Sequence, residues 1–253
     1  MEITFLGTGT SYGVPVLTCT CPVCTSPDPK NKRTRSSLWL RWEGTSLLID
    51  TATEFRLQAL GAGLRQVDAV LYTHCHADHV FGFDDLRVFS RLTNRRVPVY
   101  GSAATIAELR EVFAYIFRQT ERHQDRPWIE TNVVEGPFQV KGLLVQPVPV
   151  FHDTLPIFGY RIGNAAYLTD CRTIPHASLG LLQDLDILIL GVVGFKPHPA
   201  HLHLDRALEL VEELRPKRTY FTHISHLMDH ETVSKTLPPG VFLAYDGLTV
   251  HCP

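Results

Sequence analysis

Short apolar runs recur along the chain, separated by clusters of Gly, Pro, Asp and Asn. The runs Ile3–Leu6, Ser37–Trp42, Ser46–Ile49, Ala69–Tyr72, Val97–Tyr100, Leu143–Val150, Ala165–Leu168, Ile187–Leu190, Thr219–Phe221 and Phe242–Tyr245 read as strands. Their length, β-branched content and flanking turn residues favour extended chain. Between some of them the apolar period changes to that of a helix. Phe55–Leu60 is a short example, and Ala103–Arg118 a longer one with Ile106, Leu109, Phe113 and Phe117 on one face. Asp205–Leu214 carries Ala207, Leu208, Leu210, Val211 and Leu214 in the same pattern. No repeat, low-complexity tract or long linker divides the chain, so residues 1–253 are expected to form a single layered α/β domain. The pattern alone does not choose between a doubly wound sheet and a two-sheet sandwich.

Composition narrows the function classes. At 253 residues and 44% hydrophobic, the chain can bury a core, and its formal net charge of −2 gives no general attraction to nucleic acid. A small-molecule substrate is therefore expected rather than a long RNA. The opening Met1-Glu2-Ile3-Thr4-Phe5-Leu6 has neither the basic start nor the long apolar stretch of a secretion signal. Nothing approaches the roughly 18 apolar residues of a membrane helix. A cytoplasmic protein without membrane contact is expected, with assembly as a homodimer left open. Three of the six cysteines cluster as Cys19-Thr20-Cys21-Pro22-Val23-Cys24, a spacing more typical of metal ligands than of disulfides in a reducing compartment. The scattered Cys75, Cys171 and Cys252 read as small buried hydrophobes.

The strongest chemical signal is Thr73-His74-Cys75-His76-Ala77-Asp78-His79, directly after a strand-like run. In a turn after a strand, alternate residues converge on one side. His74 and His76 can then hold one cation, and Asp78 and His79 a second; imidazole nitrogen and carboxylate oxygen suit zinc or manganese. Further ligands are offered just past three other apolar runs, by His152, Asp170 and His223.

This ligand order, His-x-His-x-Asp-His followed by His, Asp and His, resembles the metallo-β-lactamase superfamily. The opening Leu6-Gly7-Thr8-Gly9-Thr10 and the strand end Leu48-Ile49-Asp50 are similar to it too. The resemblance implies a four-layer αββα sandwich with metals at the sheet edges. It is closer still to the PhnP-type phosphodiesterases, on Gly13-Val14-Pro15 followed by Cys19, Cys21 and Cys24, and on Thr222-His223-Ile224-Ser225-His226. That likeness implies a small zinc-binding loop at about 13–30, with Cys19, Cys21, Cys24 and His226 around a structural zinc. Within Ala200-His201-Leu202-His203-Leu204-Asp205 it assigns His201 to catalysis at the phosphate and leaves His203 open. Arg87 matches a family arginine, and a helix salt bridge is its competing reading.

The implied activity is hydrolysis of small, cyclic phosphodiesters. Two divalent ions, manganese or zinc, would stand about 3.5–4 Å apart and share a hydroxide nucleophile. Asp170, with two carboxylate oxygens, is the natural bridge between them. Asp78 serves the site as ligand and catalytic residue, His201 as hydrogen-bond donor or acid, and Asp50 as orienter of a ligand histidine. The segment 101–137 carries no family signature. Two rivals are a ribonuclease Z-like nuclease, which would need a Gly/Lys-rich arm not found here, and a PqqB-like metal-binding protein lacking a full dinuclear site.

Overall fold

In the computed structural model, which describes residues 1–118 and 126–253, most of the expected strands form, and their neighbours complete two sheets. The strands are β1 (Glu2–Gly7), β2 (Ser37–Trp42), β3 (Thr45–Ile49), β4 (Ala69–Leu71), β5 (Val97–Gly101), β6 (Ile129–Val133), β7 (Phe138–Val140), β8 (Leu143–His152), β9 (Leu155–Ile162), β10 (Ala165–Leu168), β11 (Ile187–Gly191), β12 (Arg218–Thr222), β13 (Val241–Leu243) and β14 (Thr249–His251). Among the described residues, one seven-stranded sheet runs β14-β1-β2-β3-β4-β5-β6 and the other β13-β12-β11-β10-β9-β8-β7. The helices are α1 (Pro22–Thr25), α2 (Phe55–Gly61), α3 (Ala77–Val80), α4 (Leu86–Thr93), α5 (Ala103–Val112), α6 (Ala114–Phe117), α7 (His176–Leu179), α8 (Leu204–Leu214) and α9 (His230–Ser234).

Side-chain alternation turns these strands into layers. On β3, Leu47 and Ile49 enter a core between the sheets, while Leu48 points outward into a second core. On β11, Ile187 and Ile189 face the first sheet, and Leu188 and Leu190 face the helices. Both strands are buried along their whole length, as expected of sheets covered on both faces. One outer core joins the first sheet to α2, α4 and α5 through Phe55, Phe89, Ile106 and Leu109. The other packs Ala207, Leu210 and Leu214 of α8 against the second sheet. The result is the αββα sandwich that the pattern alone could not select.

Two elements differ from the sequence reading. The helix expected over Ala103–Arg118 breaks at Phe113 (φ −105°, ψ 37°) into α5 and α6. The Phe113 ring packs 4.9 Å from that of Phe83, and the turn serves that contact. Strand β9 went unforeseen because Pro156 and Gly159 interrupt its apolar run. Gly159 is needed there, since a Cβ would lie 2.1 Å from Leu168 Cδ2. Segment 101–137 contributes β6, α5 and α6; its residues 119–125 lie outside the described part.

Parallel pairing decides where chemistry can sit. β3, β4 and β5 run parallel in one sheet, and β10, β11, β12 and β13 in the other. Their carboxyl ends therefore share an edge, the usual ligand position in open α/β sheets. Gly82, between α3 and α4, lets α2 approach that edge: a Cβ there would stand 2.4 Å from Phe55 Cβ and 2.5 Å from Ala52 O. Gly82→Ala is expected to lower unfolding free energy by about 1–3 kcal/mol, the usual cost of an overpacked core. Denaturant titration checks this; an unchanged midpoint would show that α2 can move aside.

Candidate metal centre

Asp50 and His223 directly follow the last residue of a parallel strand and Asp170 comes two residues after one, and each has a left-handed backbone, with φ of 62°, 55° and 51° in that order. Asp and His tolerate this region better than most residues. The turn swings each side chain to the edge shared by the sheets. His152 ends β8, and α3 presents Asp78 and His79.

These side chains form interlocking groups. Ligand atoms of His74, His76 and His152 lie within 4.8 Å of one another, as do those of Asp78, His79, Asp170 and His223. His74 Nε2 is 3.0 Å from His76 Nδ1. His79 Nε2 lies 3.1 Å from Asp170 Oδ2 and 3.2 Å from Asp78 Oδ2, and His223 Nε2 lies 3.1 Å from Asp170 Oδ1. Asp170 also shares a group with His152 and His201, so it is the carboxylate that reaches both sets of ligands. Nitrogen and oxygen ligands about 2.0–2.2 Å from a shared cation stand about 3–3.5 Å apart. The buried Nε2 atoms of His79 and His223 have no aligned hydrogen-bond partner despite these close oxygens. Their nitrogen and oxygen atoms converge on a common point rather than pairing with each other, so the residues present fit divalent cations.

Asp50 sets the ring states. Buried completely, it accepts from Thr73 N at 2.9 Å, Thr73 Oγ1 at 2.9 Å and His79 Nδ1 at 2.7 Å. With the Thr73 hydroxyl donating to Asp50, its oxygen is left to accept from His74 Nδ1, 3.0 Å away. Both histidines are thereby assigned a protonated Nδ1, which turns Nε2 toward the ligand atoms, one in each group. His152 Nδ1 donates to Ala200 O at 2.9 Å, which turns its Nε2 in the same way.

Charge is balanced by protons in the metal-free protein. Burial works to push the His79 pKa down, but Asp78, Asp170 and Asp50 hold it well above the usual value. Burial likewise opposes ionisation of Asp170, yet His223 and His79 hold its carboxyl well below the usual range. Burial, helped by the charge of His79, holds His74 well below. A cation entering here replaces a proton, so uptake must weaken in acid.

A second cluster lies one turn further on. Cys19, Cys21 and Cys24 place their Sγ atoms 3.3, 3.6 and 3.5 Å from His226 Nδ1. Tetrahedral zinc with bonds of about 2.3 Å to sulfur and about 2.0 Å to nitrogen needs an S···N edge of about 3.6 Å. The Cys24 amide chiefly pulls the Cys21 thiol down to about 6, while burial pushes Cys24 up to about 11. The geometry suits a closed zinc knot. Cys171 and Cys252 are buried and Cys75 half-buried, all as free thiols.

His201 Nδ1 lies 3.5 Å from Asp170 Oδ1, and the ring sits 4.6 Å from that of His152. Burial, reinforced by His223, lowers its pKa to about 3. His203 does not join the group: it precedes α8 as its N-cap and makes no side-chain capping bond. Arg87 pairs with Asp84 one turn back along the chain, the competing reading above. Sequence reasoning missed His198, an exposed residue whose ring is 4.9 Å from His201. No motif marks it. Thr73 was also passed over, although it begins the strongest motif.

Comparison with known proteins agrees with this architecture. Residues 45–224 match the family described as Beta-lactamase superfamily domain, and the chain belongs to that superfamily. Within it the chain falls in the PhnP family: the crystal structure of a new diphosphatase of that family is 44% identical, with TM-score 0.94, across 100% of this chain and 98% of the other. A protein named Octanoyltransferase from Porphyromonas gingivalis is 37% identical over 253 residues, 98% of this chain but 51% of that protein. Ribonuclease Z of a Mycobacterium species is 28% identical over 200 residues, 72% of this chain and 65% of the enzyme. The chain therefore spans about half of the first of these curated relatives and just under two thirds of the second. Among the described residues no helix is long and apolar enough to cross a membrane.

Two variants separate the clusters. Cys21→Ser is expected to lose one metal equivalent per chain and to lower the melting temperature, because a thiolate-held zinc contributes folding energy. Asp50→Asn is expected to weaken metal binding at the histidine–aspartate cluster about 10–100-fold while sparing the thiolate-bound ion. Elemental analysis of purified protein with thermal unfolding reads both. Unchanged metal content in either variant would remove the corresponding assignment.

Proposed function

We propose that this chain is a metal-dependent phosphodiesterase acting on small phosphodiesters, cyclic ones among them. The observation that carries the reading is that Asp170 belongs both to the group with Asp78, His79 and His223 and to a group with His152 and His201, so it reaches both sets of ligands. His74, His76 and His152 would hold one divalent ion, and Asp78, His79 and His223 another, with Asp170 between them. Manganese or zinc suits these ligands, and Cys19, Cys21, Cys24 and His226 would hold a structural zinc. Bound cations at such a site supply Lewis acidity, activating water and neutralising phosphoryl charge.

The chain's own residues do the rest. Asp50, through Thr73 and His79, turns the Nε2 of one histidine of each group toward the ligand atoms. Ala200 O fixes the ring of His152. His201 lies beside Asp170 and His152; left outside the two ligand sets above, it would contact a phosphoryl oxygen or protonate a departing alkoxide. Its low pKa in the metal-free form reflects crowding by His223 and His152 behind the dominant burial. A bound anionic ester would counter that.

The full-length likeness to a diphosphatase favours a second substrate class, the phosphoric anhydrides, cleaved by the same machinery. Ribonuclease Z activity is less well supported, since the likeness leaves a third of that enzyme unmatched. A single-metal binding protein does not fit two complete ligand groups. Octanoyl transfer, said of a protein about twice as long, is not transferred to this chain. A thiolate zinc knot suits the reducing cytoplasm.

Turnover of cyclic phosphodiesters, linear phosphodiesters and diphosphates, each with manganese, zinc or nickel, tests the reading. Cleavage of none with any metal would reject it, and diphosphates alone would select the second class. His201→Ala is expected to lower kcat about 10²–10⁴-fold on a 2′,3′-cyclic nucleotide, the usual worth of acid help. The loss should be smaller on an activated aryl ester, whose leaving group departs without a proton. Equal losses would point to phosphate binding by His201, and no loss would exclude it from the reaction.

A further inference from the structure

The loop after β11 leaves the second sheet at Gly191 and returns to start α8 at Leu204. Its neck is closed by backbone bonds from Val193 N to Leu202 O at 3.1 Å and from Leu204 N to Gly194 O at 2.8 Å. Its tip, Phe195 to Pro199, is exposed. Among the described residues, only two backbone groups of 195–201 form a hydrogen bond, and both belong to Ala200. The Ala200 carbonyl accepts from His152 Nδ1 at 2.9 Å, and the Ala200 amide donates to His198 Nδ1 at 3.2 Å. An amide N–H only donates, so His198 Nδ1 is the acceptor and its ring proton sits on Nε2.

We propose that His198 is a positioning residue of the metal centre, acting on His152 and His201 through Ala200. The bond from His152 orients that ring only if the Ala200 carbonyl is itself held. On the C-terminal side Leu202 N holds the chain, donating to Cys171 O at 2.9 Å. On the N-terminal side the holder is the His198 ring. Pro197 and Pro199 flank it; each fixes its own φ, and Pro199 confines His198 to extended backbone, so little ordering remains to be done. The Ala200 carbonyl lies in the peptide that leads into His201, so one clamp serves two functional side chains. The three rings stand in a row, with His198 4.9 Å from His201 and His201 4.6 Å from His152 between centroids. His198 touches neither cation nor substrate. Its effect on His152 rests on the ligand geometry, and its effect on His201 rests on the phosphodiesterase reading above.

Calorimetric titration of the full chain with manganese tests this, after cations are removed from the histidine–aspartate cluster. Manganese prefers nitrogen and oxygen ligands to thiolates, so it reads that cluster and not the cysteine loop. The forms compared are wild type, His198→Ala, His198→Gln and His198→Asn. Asn carries its side-chain oxygen on the same carbon that carries Nδ1 in histidine, so it can accept from the Ala200 amide as in an Asx turn. The oxygen of Gln stands one bond further out. His198→Ala and His198→Gln are expected to weaken manganese about tenfold, the lower end for a group acting behind a ligand. His198→Asn is expected to stay near wild type. At saturating manganese, kcat on a phosphodiester should fall in His198→Ala and recover in His198→Asn, with KM unmoved. His198 is exposed, so none of these changes threatens the fold. Equal manganese affinity in all four forms would overturn the role of His198 and leave the phosphodiesterase reading standing, whereas a wild type that binds no manganese would overturn both. A loss that His198→Asn does not recover would show that Ala200 is not the route. A raised KM with unchanged manganese affinity would make His198 a substrate contact, which also overturns the proposal.

Discussion

The Asp50 carboxylate is the constraint on which the metal centre depends. It sits where β3 ends, fully buried, and receives the first residue after the neighbouring strand's turn through both the amide and the hydroxyl of Thr73. It also receives His79 from α3. Burying an anion is costly unless its oxygens are satisfied, and three donors satisfy these. Because one donor leads on to His74, a single carboxylate sets the ring state of a histidine in each ligand group. Removing it would release both groups at once. A ligand-by-ligand view would not anticipate that coupling.

The two clusters are also joined through one strand end. β12 delivers His223 to the Asp170 group and, three residues later, His226 to the three thiols. Between them Ile224 exchanges backbone hydrogen bonds with the N-terminal loop, donating to Thr8 O at 2.8 Å and accepting from Thr10 N at 3.4 Å. The buried Arg33 braces that loop from behind, donating to Thr8 Oγ1 at 2.8 Å and Ala244 O at 2.6 Å. Its backbone pairs with Val14 at the entry to the cysteine loop. A cation among the thiols therefore fixes the position of His226, and with it the short chain that carries His223.

Much of this was legible in the sequence because the informative residues are local. His74 to His79 fall within one turn, and Cys19 to Cys24 within another, so spacing alone brings their side chains together. The buried, apolar runs that became β2, β10 and β11 were equally plain. What escaped reading is what tertiary contact decides. β9 forms although Pro156 and Gly159 break its pattern, because β8 and β10 pair with it on both sides. Phe113 ends α5 to reach Phe83. Edge strands β6 and β14 are too short or too polar to show a period. The second role of Thr73 depends on Asp50, 23 residues earlier, and nothing in a linear spacing reveals it.

The electrostatics of the site explain why its order and its metal content should be one property. Histidine rings are packed against each other, His74 against His76 and His79 at centroid distances of 4.5 and 4.3 Å. Carboxylates Asp78 and Asp170 both approach His79, within 3.2 and 3.1 Å. Without a cation, the balance is kept by a proton on His79, which neutralises the charge but aligns no hydrogen bond from its Nε2. Buried polar atoms left in that state destabilise a fold by about 1–3 kcal/mol each. The sandwich carries this strain because Asp50, Ala200 and the left-handed turns at Asp50, Asp170 and His223 hold the side chains from outside the cluster. A site preorganised this firmly gains affinity for whatever satisfies the converging nitrogen and oxygen atoms, since little ordering remains to be done on binding. The same rigidity holds Asp170 against His79 and His223 and within reach of His152, which makes it the natural member to bridge.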